Sequence, residues 1–546
     1  MSARRWAWLL IVAVALGACS RIETRVGGAP GANPWTVHGI LRVGSYEDLD
    51  NLNPLLSSQS FVTDVDQMVF SGLIDYDDHA NAIPDVDVHV PTQENGGVSR
   101  DGVTVTYHLR RGVVFSDGVP LTSADVKYTW QQIMNPRNNL PYRFPYDAVR
   151  SIDAADPQTV VVHLKHPLAS FIGNFMRNGN VGSILPEHLL RNYADLNRIG
   201  FNNRPVGSGP FVVKRWQPGV VLELEANPRF WRGRPRLREI RYQIIPSQNT
   251  LLTSLRSHDV DLYYDAPEVQ YSTLKALPGV RVTAVPNMTF EHLDFNCGRY
   301  PLSDVRVRQA LAYAIDWKQL ADTVYFGLDP QGMADIPMVS WGYDKDVKPY
   351  PHEPASARAL LAAAGWHPGP DGVLERNGQP LRLSISTVSG VTSRAKVEVL
   401  VQQYLRAIGI ELDVRNYPAD ILFATYGGNG VLARGRFDIG LFAWQYTVPD
   451  PDNTLTIGPD QLPPHGENYA FFADPDIGRW QREGQRHYRR SERYPYYAKI
   501  QRRIHDAVPL HTIVWRSNID AFNTDLQNFK PAPAVSDFWN SYEWQI

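Results

Sequence analysis

The chain has 546 residues, of which 43% are hydrophobic and 20% are charged, and its formal net charge is −3. This length exceeds what one hydrophobic core organises, so we expect two or three lobes. The small net charge gives no electrostatic reason to expect nucleic acid or an anionic membrane surface as a partner.

The first nineteen residues have the layout of a secretory signal. Arg4 and Arg5 precede an apolar stretch at 6–16, which is too short to span a bilayer comfortably. The stretch ends in LGAC at Cys19, which resembles the bacterial lipobox, where the Cys is acylated and the chain is cleaved before it. We predict a lipoprotein signal at 1–19 with the mature chain starting at Cys19, rather than a plain cleaved signal or a short membrane anchor.

The residues after Cys19 predict a tether and a chain without disulfides. Residues 20–37 are rich in Gly and Pro, which is typical of a flexible linker. Cys19 and Cys297 are the two cysteines, so lipid on Cys19 would leave no intramolecular disulfide possible. We predict that Cys297 is an inert packed residue rather than a reactive thiol or a metal ligand.

Helix and strand patterns alternate along the rest of the chain. In the first half the strands are predicted at 39–43, 103–109, 159–164, 211–216 and 220–226, and the helices at 65–74 and 121–134. In the second half the helices are predicted at 305–325, 355–364, 394–408 and 494–507, and the strands at 381–387, 410–416, 437–444 and 512–515. This interleaving predicts the α/β class.

Motifs of catalysis are nearly absent from the sequence. It has no Walker A motif, and His505 and His511 lack the spacing of an HExxH zinc site. Asp450 and Asp452 could form a catalytic carboxylate pair, but the Pro between them is equally typical of a rigid turn. We predict no catalytic residues, no metal site and no cofactor, and so no enzyme.

Several phrases occur in an order that resembles one known family. The segment FSDGVPLTSADV at 115–126 encodes a tight turn followed by a capped helix. With 49–56, PVGSGPF at 205–211, NPRFWRGRP at 227–235, LSDVRVRQALAYAIDW at 302–317, and FDIGLFAW at 437–444 followed by PDPDN, it resembles the extracellular solute-binding proteins, family 5. That family serves oligopeptide, dipeptide and nickel ABC importers.

The resemblance implies a two-lobed clamp of the type II periplasmic-binding-protein kind, with an extra subdomain in the first lobe. We expect lobe I at 38–290 with the inserted subdomain at about 62–200, lobe II at 291–510, and a return to lobe I at 511–546. Two extended crossings at 282–297 and 511–523 should join the lobes, which close on a solute by small changes in backbone dihedrals.

The same resemblance implies where the ligand lies. In peptide-binding members the ligand pairs with the backbone of the strand that ends near Trp444, and an Asp three residues later receives the amino group. Thr447 stands at that position, so either Asp450 takes the role or the ligand has no free α-amino group. The predicted ligand-binding residues are Trp444, Tyr446, Thr447, Asp450, Asn453, Asn296 and Tyr46.

The predicted function is a monomeric, lipid-anchored substrate-binding protein of the cell envelope. It would capture a peptide or peptide-like solute and deliver it to an ABC permease with ATPase subunits; its membrane, inner or outer, stays open. One alternative is a non-peptide solute such as a sugar or a metal chelate. The other is a sensor or chaperone-like lipoprotein that works without a transporter.

Overall fold

The computed structural model describes residues 32–546, apart from residues 58, 141–142, 333, 447 and 535. The predicted signal, its Cys19 and most of the predicted tether lie outside the described residues. Within them, no helix is both long enough and apolar enough to cross a membrane.

The strands of the described chain are, in order, β1 Ile40–Ser45, β2 Ile74–Tyr76, β3 Ala82–Pro84, β4 Thr104–His108, β5 Val149–Asp156, β6 Thr159–Leu164, β7 Phe211–Gln217, β8 Val221–Ala226, β9 Glu239–Ile244, β10 Leu262–Tyr263, β11 Val280–Phe295, β12 His367–Pro368, β13 Leu374–Arg376, β14 Gln379–Pro380, β15 Arg382–Val388, β16 Glu411–Tyr417, β17 Ile439–Gln445 and β18 Leu510–Asn523. The α-helices are α1 Ser60–Val69, α2 Ser123–Met134, α3 Phe171–Asn174, α4 Glu187–Leu190, α5 Gln248–Arg256, α6 Tyr271–Lys275, α7 Val305–Ala314, α8 Trp317–Val324, α9 Pro354–Ala363, α10 Thr392–Ala407, α11 Ala419–Leu422, α12 Thr454–Ile457, α13 Pro475–Arg486 and α14 Arg490–Ala507.

One large mixed sheet runs through the molecule. Its strand order is β16-β15-β17-β11-β18-β10-β1-β9-β8-β7. Three small sheets, β4-β6-β5, β2-β3 and β12-β13-β14, lie outside it. The first two of these small sheets fall within the predicted inserted subdomain.

The two longest strands stand at the centre of the large sheet. β11 and β18 pair antiparallel from Val280 opposite Asn523 to Asp294 opposite Leu510, with register shifts between Pro286 and Phe290 and between Glu291 and His292. They occupy the stretches where the two crossings are predicted. A pair of long strands that connects two halves of a sheet can bend at such an irregularity without losing its remaining ladder.

Two main hydrophobic cores lie on either side of this strand pair. One is built from residues between 41 and 264 together with the chain end at 522–546. The other is built from residues between 293 and 514. We refer to the surroundings of these cores as lobe I and lobe II; the residue boundaries of the lobes stay predictions.

Most predicted elements agree with the structure to within a few residues. The helix predicted at 121–134 is α2, and Thr122 and Asp125 form a reciprocal capping box at its start. The predicted hairpin is the antiparallel pair β7 and β8. The glycines of PVGSGPF allow a close approach, since a Cβ on Gly207 would lie 2.0 Å from the carbonyl oxygen of Val69.

Two helix predictions are wrong in their extent. The segment 305–325 is two helices, because Ile315 is extended and the Asp316 carboxylate caps a new helix by accepting from the Gln319 N–H. The apolar run at 65–74 leaves the helix after Val69, and its last residue begins β2. An apolar run that is buried on all sides has no periodicity to mark such a change.

Candidate ligand-binding site

A cavity of about 810 Å³ lies between the two lobes. Residues between 143 and 182 line it from lobe I, and residues between 444 and 467 line it from lobe II. Its volume is within the range of sites that hold small molecules. A second void, under Arg232, measures about 10 Å³ and has room for at most one water molecule.

The end of β17 forms the flat part of the lobe II wall. Trp444 is half-buried and stacks on Tyr469, with ring centroids 5.9 Å apart. Tyr446 follows it along the cavity, and its buried hydroxyl has no hydrogen-bond partner within the described chain. These two rings therefore offer apolar contact area beside one unsatisfied hydroxyl.

One edge of β17 is open where it reaches the cavity. The strand pairs with β11 over its full length, but its parallel pairing with β15 ends at Gly440. From Leu441 to Gln445 this second edge has no strand partner among the described residues. An open edge presents backbone N–H and C=O groups to which an extended chain can add.

Asp450 lines the cavity, but its carboxylate is already engaged. The Arg493 guanidinium donates two hydrogen bonds to it, of 2.6 and 2.8 Å, and is itself 4% exposed. The same arginine donates to the Gly484 carbonyl oxygen and to the Tyr497 hydroxyl. Asp450 is thus one half of a buried, bidentate ion pair whose arginine makes two further hydrogen bonds.

Asn453 is also part of a closed network. Its amide nitrogen donates to the Asp335 carboxylate at 2.7 Å, and its amide oxygen accepts from Gln481 at 3.0 Å. Burial raises the pKa of Asp335 to about 6, opposed by the hydrogen bond from Asn453. These contacts fix the start of α12 against the rest of lobe II.

The lobes touch each other beside the cavity. The Ser170 hydroxyl donates to the Asp452 carboxylate at 3.1 Å, and the Ala169 and Ser170 N–H groups donate to Gln485. The Tyr488 hydroxyl donates to the Gly102 carbonyl oxygen at 2.7 Å and accepts from the Leu168 N–H at 3.3 Å. Burial raises the pKa of Tyr488 to about 12, so this hydroxyl keeps its proton at neutral pH.

The structure brings four of the predicted ligand-binding residues to the cavity: Trp444, Tyr446, Asp450 and Asn453. Thr447 lies outside the described residues. That the four lining residues contact a ligand stays a prediction. For Asp450 and Asn453 the polar groups are committed to protein partners, as the alternative reading of PDPDN as a rigid turn would have it.

The other two predicted residues do not line the cavity. Asn296 is buried, and its amide donates to the carbonyl oxygens of Phe437 and Gly435. The Tyr46 hydroxyl donates to the Asp265 carboxylate at 2.9 Å. Both side chains hold protein groups instead, Asn296 the backbone at 435–437 and Tyr46 the Asp265 carboxylate.

Sequence reasoning missed four charged residues that line the cavity: Arg143, Asp147, Arg177 and Glu467. Arg143 donates to the backbone carbonyl oxygens of Ile133, Asn135 and Asn138, so it holds its own loop. Arg177 stands alone in the mostly apolar and small-residue segment FIGNFMRNGNVG, and this isolation was the signal that could have found it.

The described chain offers little for metal binding or thiol chemistry. No group of three or more His, Cys, Asp or Glu side chains in it could hold a metal ion. Burial raises the pKa of the Cys297 thiol to about 12, and the thiol donates to the Phe295 carbonyl oxygen. A thiol that stays protonated at neutral pH is a poor nucleophile.

Two lobes joined by a pair of long strands, with a cavity between them, define a solute-binding clamp of the periplasmic-binding-protein type. The family of bacterial extracellular solute-binding proteins, family 5 (its middle region), matches residues 92–458. That is more than half of the chain, and the chain therefore belongs to this family.

The sequence relatives cover most of the chain. It is 27% identical over 548 residues to the oligopeptide-binding protein AppA of Bacillus subtilis, covering 98% of this chain and 97% of the relative. It is also 27% identical over 443 residues to the glutathione-binding protein GsiB of Salmonella choleraesuis, covering 80% and 81%.

Solved structures agree with the fold. AppA from Bacillus subtilis in complex with a nonapeptide matches with a TM-score of 0.75 at 25% identity, covering 92% of this chain and 98% of that one. NikZ from Campylobacter jejuni in complex with Ni(L-His) matches with a TM-score of 0.76 at 24% identity, covering 93% and 99%. The predicted α/β clamp is confirmed, and the protein is an extracytoplasmic solute-binding protein of the kind that supplies ABC importers.

Proposed function

We propose that this chain captures a peptide or peptide-like solute between its lobes and delivers it to the permease of an ABC importer. The observation that carries the proposal is the open edge of β17 at the cavity, where Trp444 and Tyr446 stand beside free backbone groups. Backbone pairing along such an edge holds an extended ligand whatever its side chains are. The oligopeptide-binding and glutathione-binding relatives support the same solute class.

A ligand amino group needs an acidic partner in this cavity. Asp450, one of the two possibilities raised by Thr447, has both carboxylate oxygens bound by Arg493. Glu467 lines the cavity without a side-chain partner in the described chain, and burial raises its pKa. A ligand ammonium would offset that burial, so we assign the amine contact to Glu467 ahead of Asp450.

Native mass spectrometry of the protein purified from its own host tests the solute class. We expect a co-purified peptide or peptide conjugate, and a smaller radius of gyration in X-ray scattering when that ligand is added back to stripped protein. A co-purified sugar or metal chelate without a peptide bond would overturn the peptide assignment.

We also propose that the protein is held at a membrane by lipid on Cys19. The support is the LGAC sequence at the end of a short apolar run, followed by a Gly- and Pro-rich stretch. Cys19→Ser should release the protein from membranes and leave its melting temperature unchanged. A variant that still partitions into detergent as fully as the parent would contradict the anchor.

A further inference from the structure

Arg177 is a buried cation on the lobe I wall of the cavity. It follows α3, lines the cavity and is 8% exposed. Within the described chain its guanidinium makes one hydrogen bond, from Nη1 to the Asn178 carbonyl oxygen at 3.1 Å, and no ion pair. A guanidinium has five N–H donors, so most of its hydrogen-bonding capacity is unused.

The other two buried arginines of the described chain are satisfied. Arg493 has the Asp450 carboxylate, and Arg308 donates to the carbonyl oxygens of Ala507, Val508 and Leu302. Burying a charge without such partners is strongly unfavourable, and proteins rarely retain it without a use. Arg177 is therefore the exception among the three.

Asp75 is a buried carboxyl that lies close enough to Arg177 to sense its charge, but it forms no ion pair with it. Burial and the neighbouring Asp85 raise the pKa of Asp75 to about 8. A carboxyl with that pKa is mostly protonated at neutral pH and carries little negative charge. The positive charge of Arg177 on the cavity wall therefore has no counter-ion within the described chain.

We propose that Arg177 binds a carboxylate of the solute, on the wall that faces the open edge of β17. This inference rests on the proposed function, since it takes the cavity to be the solute site. The planar guanidinium matches a carboxylate with two parallel hydrogen bonds, which gives both affinity and orientation. In a peptide, that carboxylate is either the C-terminus or an acidic side chain.

Four pentapeptide libraries distinguish these sources: free acids and C-terminal amides, each made with and without Asp and Glu. Peptides retained by the protein after gel filtration are measured by mass spectrometry. The wild type should retain peptides that carry the preferred carboxylate at least tenfold better than those that lack it. Arg177→Gln should remove this preference, Arg177→Lys should keep part of it, and Arg150→Gln, on the exposed side of β5, should change nothing.

The melting temperature measured without peptide shows whether the Arg177→Gln variant is still folded. Because Arg177→Gln removes an unpaired buried charge, that temperature should stay the same or rise. If the wild type retains all four libraries equally, peptide capture stands and the carboxylate contact is overturned.

If no library is retained, peptide capture fails and small carboxylates decide the question. Acetate, succinate and citrate, compared with chloride at equal ionic strength, should raise the melting temperature of the wild type more than that of Arg177→Gln. Equal shifts in the two proteins for all three anions would overturn the proposal.

Discussion

The two walls of the cavity differ in the charged side chains that they leave without a protein partner. On lobe II the PDPDN side chains are committed to protein partners, Asp450 to Arg493 and Asn453 to Asp335 and Gln481. Glu467 is the acidic group of this wall that has no side-chain partner in the described chain. On lobe I a buried arginine, Arg177, has one backbone contact and no counter-ion in the described chain. Paired groups stabilise the wall that they belong to, whereas an unpaired charge can bind an oppositely charged group of a ligand.

This difference indicates that some groups of the cavity stabilise its walls and that others select the ligand. The PDPDN segment offered candidate catalytic and ligand-binding side chains in the sequence. In the structure its hydrogen bonds support the strand end that carries Trp444 and Tyr446. Arg177 on the lobe I wall and Glu467 on the lobe II wall then supply the charges that can select a ligand. A clamp built in this way meets its solute on a rigid wall and completes the polar contacts when the second wall closes.

Breaking the brace of lobe II should have the largest effect. Arg493→Gln leaves the Asp450 carboxylate buried without its partner, which should lower the free energy of unfolding by on the order of 3–5 kcal/mol. Chemical denaturation measures this. Arg486→Gln, which removes an exposed ion pair with Glu483 on α13, should have little effect. Equal, small losses in both variants would mean that the buried pair does not brace the wall.

Removing the flat contact surface should affect binding more than stability. Trp444→Ala should weaken the binding free energy of the retained peptides by about 1–3 kcal/mol, the range for one buried apolar side chain. The free energy of unfolding should change little. Trp366 is the matched control, because it is 3% exposed in the core of lobe II and its loss should destabilise without a separate binding defect. Calorimetric titration and thermal melts separate the two effects, and unfolding of Trp444→Ala would make it a core residue.

The contact between the lobes should give the smallest effect. Tyr488→Phe removes a hydroxyl that bridges Gly102 and Leu168 of lobe I, so closure should weaken by about 1 kcal/mol. X-ray scattering of the ligand-free protein should show a larger radius of gyration. Tyr193→Phe, at a side chain that is 48% exposed, serves as the control. An unchanged radius would show that this hydroxyl does not hold the lobes together.

Much of the local structure could be predicted because its causes are local. Thr122 and Asp125 form a capping box within one turn of helix, and the alternation at 159–164 needs only a strand with one buried face. The break at Ile315 was missed although Asp316 is a good cap, because the apolar pattern continues across it. Competing local signals of similar strength are resolved by packing.

The sequence by itself determined the α/β class through its periodicity and, through the order of its motifs, the resemblance that implied the family and the clamp. Only the tertiary structure decided which charges are free. Asp450 meets Arg493 from 43 residues away, and Arg177 finds no carboxylate at all within the described chain. Whether a charge is paired depends on which side chains the fold brings within about 4 Å, and spacing along the chain does not encode that distance.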